Sequence, residues 1–204
     1  MGTRHLICVV LDSEYKVAQY GQWDGYPGGQ GIDVLNFLHT RSLMAFKEKV
    51  KNTYWLTAEQ VNETWEACGK NPEQDWVSMG IFNLHTKLFP NLSRDTGSKI
   101  LDLILDNEGR LGLWNSLEFA KDSLFCEWCY VIDLDKNTLE IFKGFNNDPL
   151  DPSERFYFDG AFETSRSDPE TRYYPVRQVQ EFDLDNLPSE SVFLEILSPP
   201  DEDE

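Results

Sequence analysis

Leu6-Ile-Cys-Val-Val-Leu11 is an unbroken apolar run with no polar residue inside it. Successive side chains of a strand point to opposite faces, so such a run needs cover on both sides. It is also far shorter than the ~20 apolar residues of a membrane span. His5 to Asp12 is therefore expected to be an interior strand of a sheet. Asp12-Ser-Glu-Tyr15 reads as a polar turn and Lys16 to Gln22 as a returning strand, so the chain opens on a hairpin.

Periodicity then changes. After a Gly-rich loop from Trp23 to Gly31, Ile32, Leu35 and Leu38 recur at helical spacing, and the pattern continues through Leu43, Phe46 and Val50 with a break near residues 40–42. Thr57 and Gln60 have capping-box spacing, and the helix they open would bury Val61 and Trp65 and stop at Gly69. Ser78 to Leu88 suits another helix. Ser93 is a candidate cap for one reaching about Asn107, with Ile100, Leu101, Ile104 and Leu105 as its apolar stripe.

The last third returns to strands. Glu127–Asp135 and Thr138–Lys143 read as a half-buried hairpin, with Leu139 and Ile141 inward and Thr138, Glu140 and Phe142 outward. Residues 146–172 carry Pro149, Pro152, Pro169 and many charges, as a surface excursion would, with one short ordered piece at Phe156–Phe158. Tyr173 to Phe182 is a strand. Ser189 to Leu197 fits a capped helix, although Val192, Leu194 and Ile196 alternate as in a strand. The expected class is α+β. Residues 1–198 are expected to form a single domain, with a mainly antiparallel sheet built from two hairpins and helices packed on it, and residues 199–204 a disordered acidic tail.

Charge narrows the function. Lys and Arg number 18 against 36 Asp and Glu, a net charge of −18. Affinity for DNA or RNA backbones rests on cations, so nucleic-acid binding is expected to be negligible. A gel shift at ~150 mM salt should show no micromolar complex, and a clear one would overturn this reading. Anionic membranes are disfavoured for the same reason. The opening residues lack the architecture of a secretory leader, so a cytoplasmic location is expected. Cys126-Glu-Trp-Cys129 has no second pair or nearby His and reads as packing. His5, His39 and His85 show no ligand spacing and read as structural. No motif calls for a metal or a cofactor.

The densest cluster of unusual residues is Tyr20-Gly-Gln-Trp-Asp-Gly-Tyr-Pro-Gly-Gly-Gln-Gly31, between a strand end and a helix start. Its glycines allow close backbone approach to a ligand. Trp23 and Tyr26 offer flat faces with polar tips, Asp24 a carboxylate, and Gln22 and Gln30 neutral hydrogen-bonding groups. There is no Lys for a phosphate loop, so a neutral or cationic small molecule suits the charges better. The alternative is structural: Asp24 ties down the turn through backbone N–H groups while the aromatics pack.

Met1-Gly-Thr-Arg4 before an apolar strand, Gln22-Trp-Asp-Gly-Tyr-Pro27, and the later Trp128-Cys-Tyr-Val-Ile-Asp-Leu-Asp135 resemble a family of uncharacterised proteins from fungi, bacteria and phages. The resemblance brings no activity with it, but it singles out Arg4, Trp23, Asp24, Gly25 and Tyr26. More loosely, the first strand is similar to that of N-terminal-nucleophile hydrolases, which implies amide-bond hydrolysis or transfer. A hairpin turned at residues 12–15 places Arg4 opposite about Trp23. The expected site is therefore Arg4 and Asp24, with Asp24 as general base or cation partner, beside Gln22, Trp23, Gly25, Tyr26 and Gln30. The competing expectation is a non-catalytic acidic protein that docks on a basic partner.

Overall fold

The computed structural model describes residues 2–159 and 171–198. The acidic tail and the middle of the Pro-rich excursion, residues 160–170, lie outside them. The apolar run is β1 (His5–Leu11), buried at every residue. Asp12 and Ser13 turn the chain with φ of 55° and 61°, a two-residue geometry that matches strand twist. β2 (Glu14–Gly21) returns antiparallel to β1. The chain continues as α1 (Ile32–Thr40), α2 (Leu43–Val50), β3 (Thr53–Trp55), α3 (Ala58–Ala67), α4 (Met79–Leu88), α5 (Ile100–Asp106), β4 (Leu111–Leu113), β5 (Trp128–Asp133), β6 (Thr138–Lys143), β7 (Arg177–Asp183) and α6 (Glu190–Leu197).

The main sheet has the order β2-β1-β5-β6-β7, which puts β1 inside it as expected. The two hairpins join through a parallel β1–β5 ladder with His5 opposite Trp128, and the other neighbours are antiparallel. Alternation divides β1 between two cores. Ile7, Val9 and Leu11 face a layer that includes Leu35 and Leu38 of α1, Phe46 of α2, Leu101 and Ile104 of α5 and Phe193 of α6. Leu6, Cys8 and Val10 face Ala120, Cys126, Leu150, Phe156 and Val176.

That second core corrects the reading of the β5–β6 hairpin. It is not half buried: Leu139, Glu140, Ile141 and Phe142 are all enclosed. The cover comes from the segment taken as a surface excursion, where Phe156 meets the Phe142 ring edge-on at 4.8 Å and Leu150 is buried. Arg155, beside Phe156, reaches Asp133 and Glu140. Cys126 and Cys129 are free thiols inside this core, and burial pushes both up and away from reactivity.

The helices follow the sequence with two differences. The capping box at Thr57 and Gln60 is formed, yet α3 buries no residue, and Trp65 instead stacks on His85 of α4 at 3.5 Å between ring centroids. α5 starts at Ile100 rather than after Ser93; the Ser93 hydroxyl accepts from Asp95 N–H within a loop. The last segment is a helix, because Phe193 and Leu197, four apart, are its buried residues. The parallel pair β3–β4 was not foreseen; three residues per strand leave no readable alternation. No helix among the described residues is long and apolar enough to cross a membrane.

Candidate functional site

The Trp23–Gly31 loop leaves β2 and is pinned to the start of the chain and to the sheet. Gly25 N–H donates to the Thr3 carbonyl at 2.9 Å, and the Tyr130 hydroxyl donates to the Gly25 carbonyl at 2.8 Å. Asp24 takes a left-handed φ of 55°, and its carbonyl accepts from Gln30 N–H at 2.8 Å. These backbone bonds bring Asp24 and Gln30 to one side of the loop.

Beneath them is a cavity of about 270 Å³ lined by His5, Trp23, Asp24, Gln30 and the stretch Arg94–Gly97, with Lys99 at its edge. The Trp23 indole donates to Asp95 at 2.9 Å. The Gln30 side chain accepts from Ser98 N–H at 2.6 Å, which ties the loop to the Gly97–Lys99 turn ahead of α5. Gly97 has a φ of 53° and lies against this Gln30 amide.

His5 is a buried lining residue of the cavity. Its residue is 1% exposed, and neither ring nitrogen has a hydrogen-bond partner of good geometry among the described residues. Burial lowers its pKa to about 4, against a small upward pull from the Thr3 backbone. The ring is therefore a neutral imidazole at physiological pH. Its space exists because its cross-strand partner is Gly21: a Cβ there would fall 2.1 Å from two ring atoms, and one on Gly25 would fall 2.6 Å from the His5 Cβ.

Of the residues expected from sequence, Trp23, Asp24 and Gln30 line this cavity, and Gly25 forms part of the wall behind His5. Tyr26 is exposed and is not among the lining residues. Gln22 is not either; its side chain accepts from the Tyr20 hydroxyl at 2.6 Å. Arg4 and Asp24 are not brought together. The ladder pairs His5 with Gly21 and Leu6 with Tyr20, so the register runs one residue short of the expected one. A one-residue slip exchanges the faces of a strand. Arg4 consequently lies on the second face, its guanidinium 4.4 Å from the Phe125 ring centroid, while His5 takes the place beside the loop.

His5 was legible only through that register. Arg94, Asp95, Thr96 and Lys99 were hidden by the reading of Ser93–Asn107 as one helix. His39 and His85 are held by the Pro188 carbonyl and the Thr64 hydroxyl respectively, each at 2.9 Å, as structural residues would be. Among the described residues, no group of three or more His, Cys, Asp or Glu is placed to hold a metal ion. Comparison of the chain with protein-family models, with curated proteins and with solved structures finds no match.

Proposed function

We propose that this protein binds a small polar molecule in the His5 cavity and acts on it through the His5 imidazole. The observation that carries this reading is the fully buried ring with both nitrogens unpartnered, in a residue that lines a cavity. A buried polar group without a partner costs about 1–3 kcal/mol, and each such group calls for an explanation. A neutral imidazole offers one donor and one acceptor. Its complement is a ligand group that both donates and accepts, such as a hydroxyl, an amide or a bound water under attack.

Proton transfer is the chemistry such a ring supports, and amide-bond hydrolysis or transfer belongs to that class, with His5 activating the attacking water. A negative charge brought in by the ligand would raise the ring's basicity toward working pH. Asp24 supplies a carboxylate among the lining residues and serves as a cation partner, while His5 takes the general-base role expected of Asp24. Docking on a basic protein partner rests on net charge alone and stands behind this reading.

A thermal-shift screen with a library of polar metabolites tests the proposal. At least one compound should raise the melting temperature of the wild-type protein. Gly21→Ala, which places a methyl group where the imidazole lies, should abolish that shift, and Asp24→Asn, an isosteric surface change, should weaken it. No stabilising compound, or one whose effect survives both substitutions, would overturn the proposal.

A further inference from the structure

Four formal charges face the His5 cavity: Asp24 and Asp95 on one count, Arg94 and Lys99 on the other. None of them pairs with another. Asp95 accepts from the Trp23 indole, and the Asp24 carboxylate has no hydrogen bond or ion pair among the described residues. Arg94 lies over the Phe82 ring, 5.1 Å from its centroid, and its carbonyl accepts from Gln22 N–H; it has no carboxylate partner among the described residues. The Lys99 ammonium group has no hydrogen bond, ion pair or ring contact there either. Charges of both signs thus stay unpaired at a cavity that the unpartnered His5 ring also lines.

We infer that the ligand is a small zwitterion of amino-acid or dipeptide size, its carboxylate held by Arg94 and Lys99 and its ammonium group by Asp24 and Asp95. This rests on the functional reading above and specifies its substrate class. Separated charges of both signs around one space complement a molecule that carries both, whereas a plain anion or cation would leave one pair of side chains facing a like charge. Arg94 suits the carboxylate because a guanidinium binds it through two parallel N–H groups.

Size points the same way. The cavity, at about 270 Å³, lies just below the ~300–1,000 Å³ of pockets for drug-sized ligands. It shares Asp95, Thr96 and Lys99 with a neighbouring cavity of about 550 Å³ lined also by Pro90 and Leu103. A ligand whose polar backbone sits at His5 therefore has room for an apolar side chain against Pro90 and Leu103. The scissile or reacting amide of a dipeptide would lie between its two charged ends, within the cavity that His5 lines.

Titration calorimetry with four probes tests the inference: glycyl-leucine, its N-acetyl form, its C-terminal amide, and the N-acetyl amide. Glycyl-leucine should bind the wild-type protein, and blocking either end should weaken binding by about tenfold or more. Arg94→Gln with Lys99→Gln should weaken the two probes that carry a free carboxylate and leave the two amides unchanged. Both cations are surface residues, so the double variant should fold, which circular dichroism checks. Blocked probes that bind as well as the zwitterion, or a double variant that binds all four as the wild type does, would overturn the zwitterion. If all four fail while a library compound still gives a shift that Gly21→Ala removes, the zwitterion falls and the cavity's role stands; if nothing binds at all, both fall.

Discussion

Arg155→Met should cost about 3–5 kcal/mol of stability, the range found when one partner of a buried ion pair is removed. The Arg155 side chain is 13% exposed, and those of Asp133 and Glu140 are 3% and 1% exposed. One guanidinium nitrogen reaches Asp133 at 2.5 Å and also Glu140 at 2.5 Å, while Nε donates to the second Glu140 oxygen. Burial works against the charge on Arg155, but hydrogen bonds led by Glu140 raise its pKa. On Asp133, burial works upward, and the Lys136 N–H and the Arg155 guanidinium still hold it below the usual carboxylate range. Methionine keeps most of the side-chain volume and leaves Asp133 without a cation and Glu140 with only the partly exposed Lys136 at 3.4 Å.

Urea denaturation at pH 7 measures that loss. The control is Arg155→Met combined with Glu140→Met and Asp133→Asn, which removes the stranded charges and should recover much of the stability, because the cost lies in desolvated carboxylates rather than in lost attraction. A single variant within about 0.5 kcal/mol of the wild type, the range of an ordinary surface change, would show that the cluster does not hold the second core together. Arg155 also carries Phe156 onto Phe142, so its loss should expose the Cys8, Cys126 and Cys129 thiols to a labelling reagent faster than in the wild type.

A second large effect is expected from His5 on acidification. Its folded pKa of about 4 lies below the ordinary 6.5, so between these values the unfolded chain holds a proton that the folded chain refuses. Stability is then fully present above about pH 6.5 and falls as the pH drops toward 4. With the ring 1% exposed, the whole window amounts to about 3 kcal/mol. Denaturation midpoints of the wild type and His5→Gln at pH 7, 6, 5 and 4 should converge as the pH falls, with the variant showing the shallower loss. His85 is also lowered by burial and contributes in the same direction to both proteins, so the comparison isolates His5. Parallel pH profiles would mean that the folded protein accommodates the charged ring.

Much of the architecture follows from local pattern. The unbroken Leu6–Leu11 run demanded an interior strand, and β1 has neighbours on both sides. The break near residues 40–42 separates α1 from α2, and the Ser78 and Ser189 hydroxyls cap α4 and α6. The site loop stood out by composition, since a mixture of Gly, Trp, Asp and Gln between a strand and a helix has few structural uses. Three of its residues do share a cavity.

What the sequence by itself determined is therefore the type of the longer elements, because propensity, capping and hydrophobic period act over a few residues. What only the tertiary structure decided is register and cover. The tight Asp12–Ser13 turn pairs Leu11 with Glu14, two residues short of the expected register, and a bulge between Val9 and Val10 returns one; with a strand's period of two, the net one-residue slip exchanges Arg4 for His5 at the loop. Glu140 alternates as an outward residue should, but residues distant in sequence, Leu150, Arg155 and Phe156, close over it. Both outcomes depend on contacts between segments far apart in the chain, and no local pattern records those.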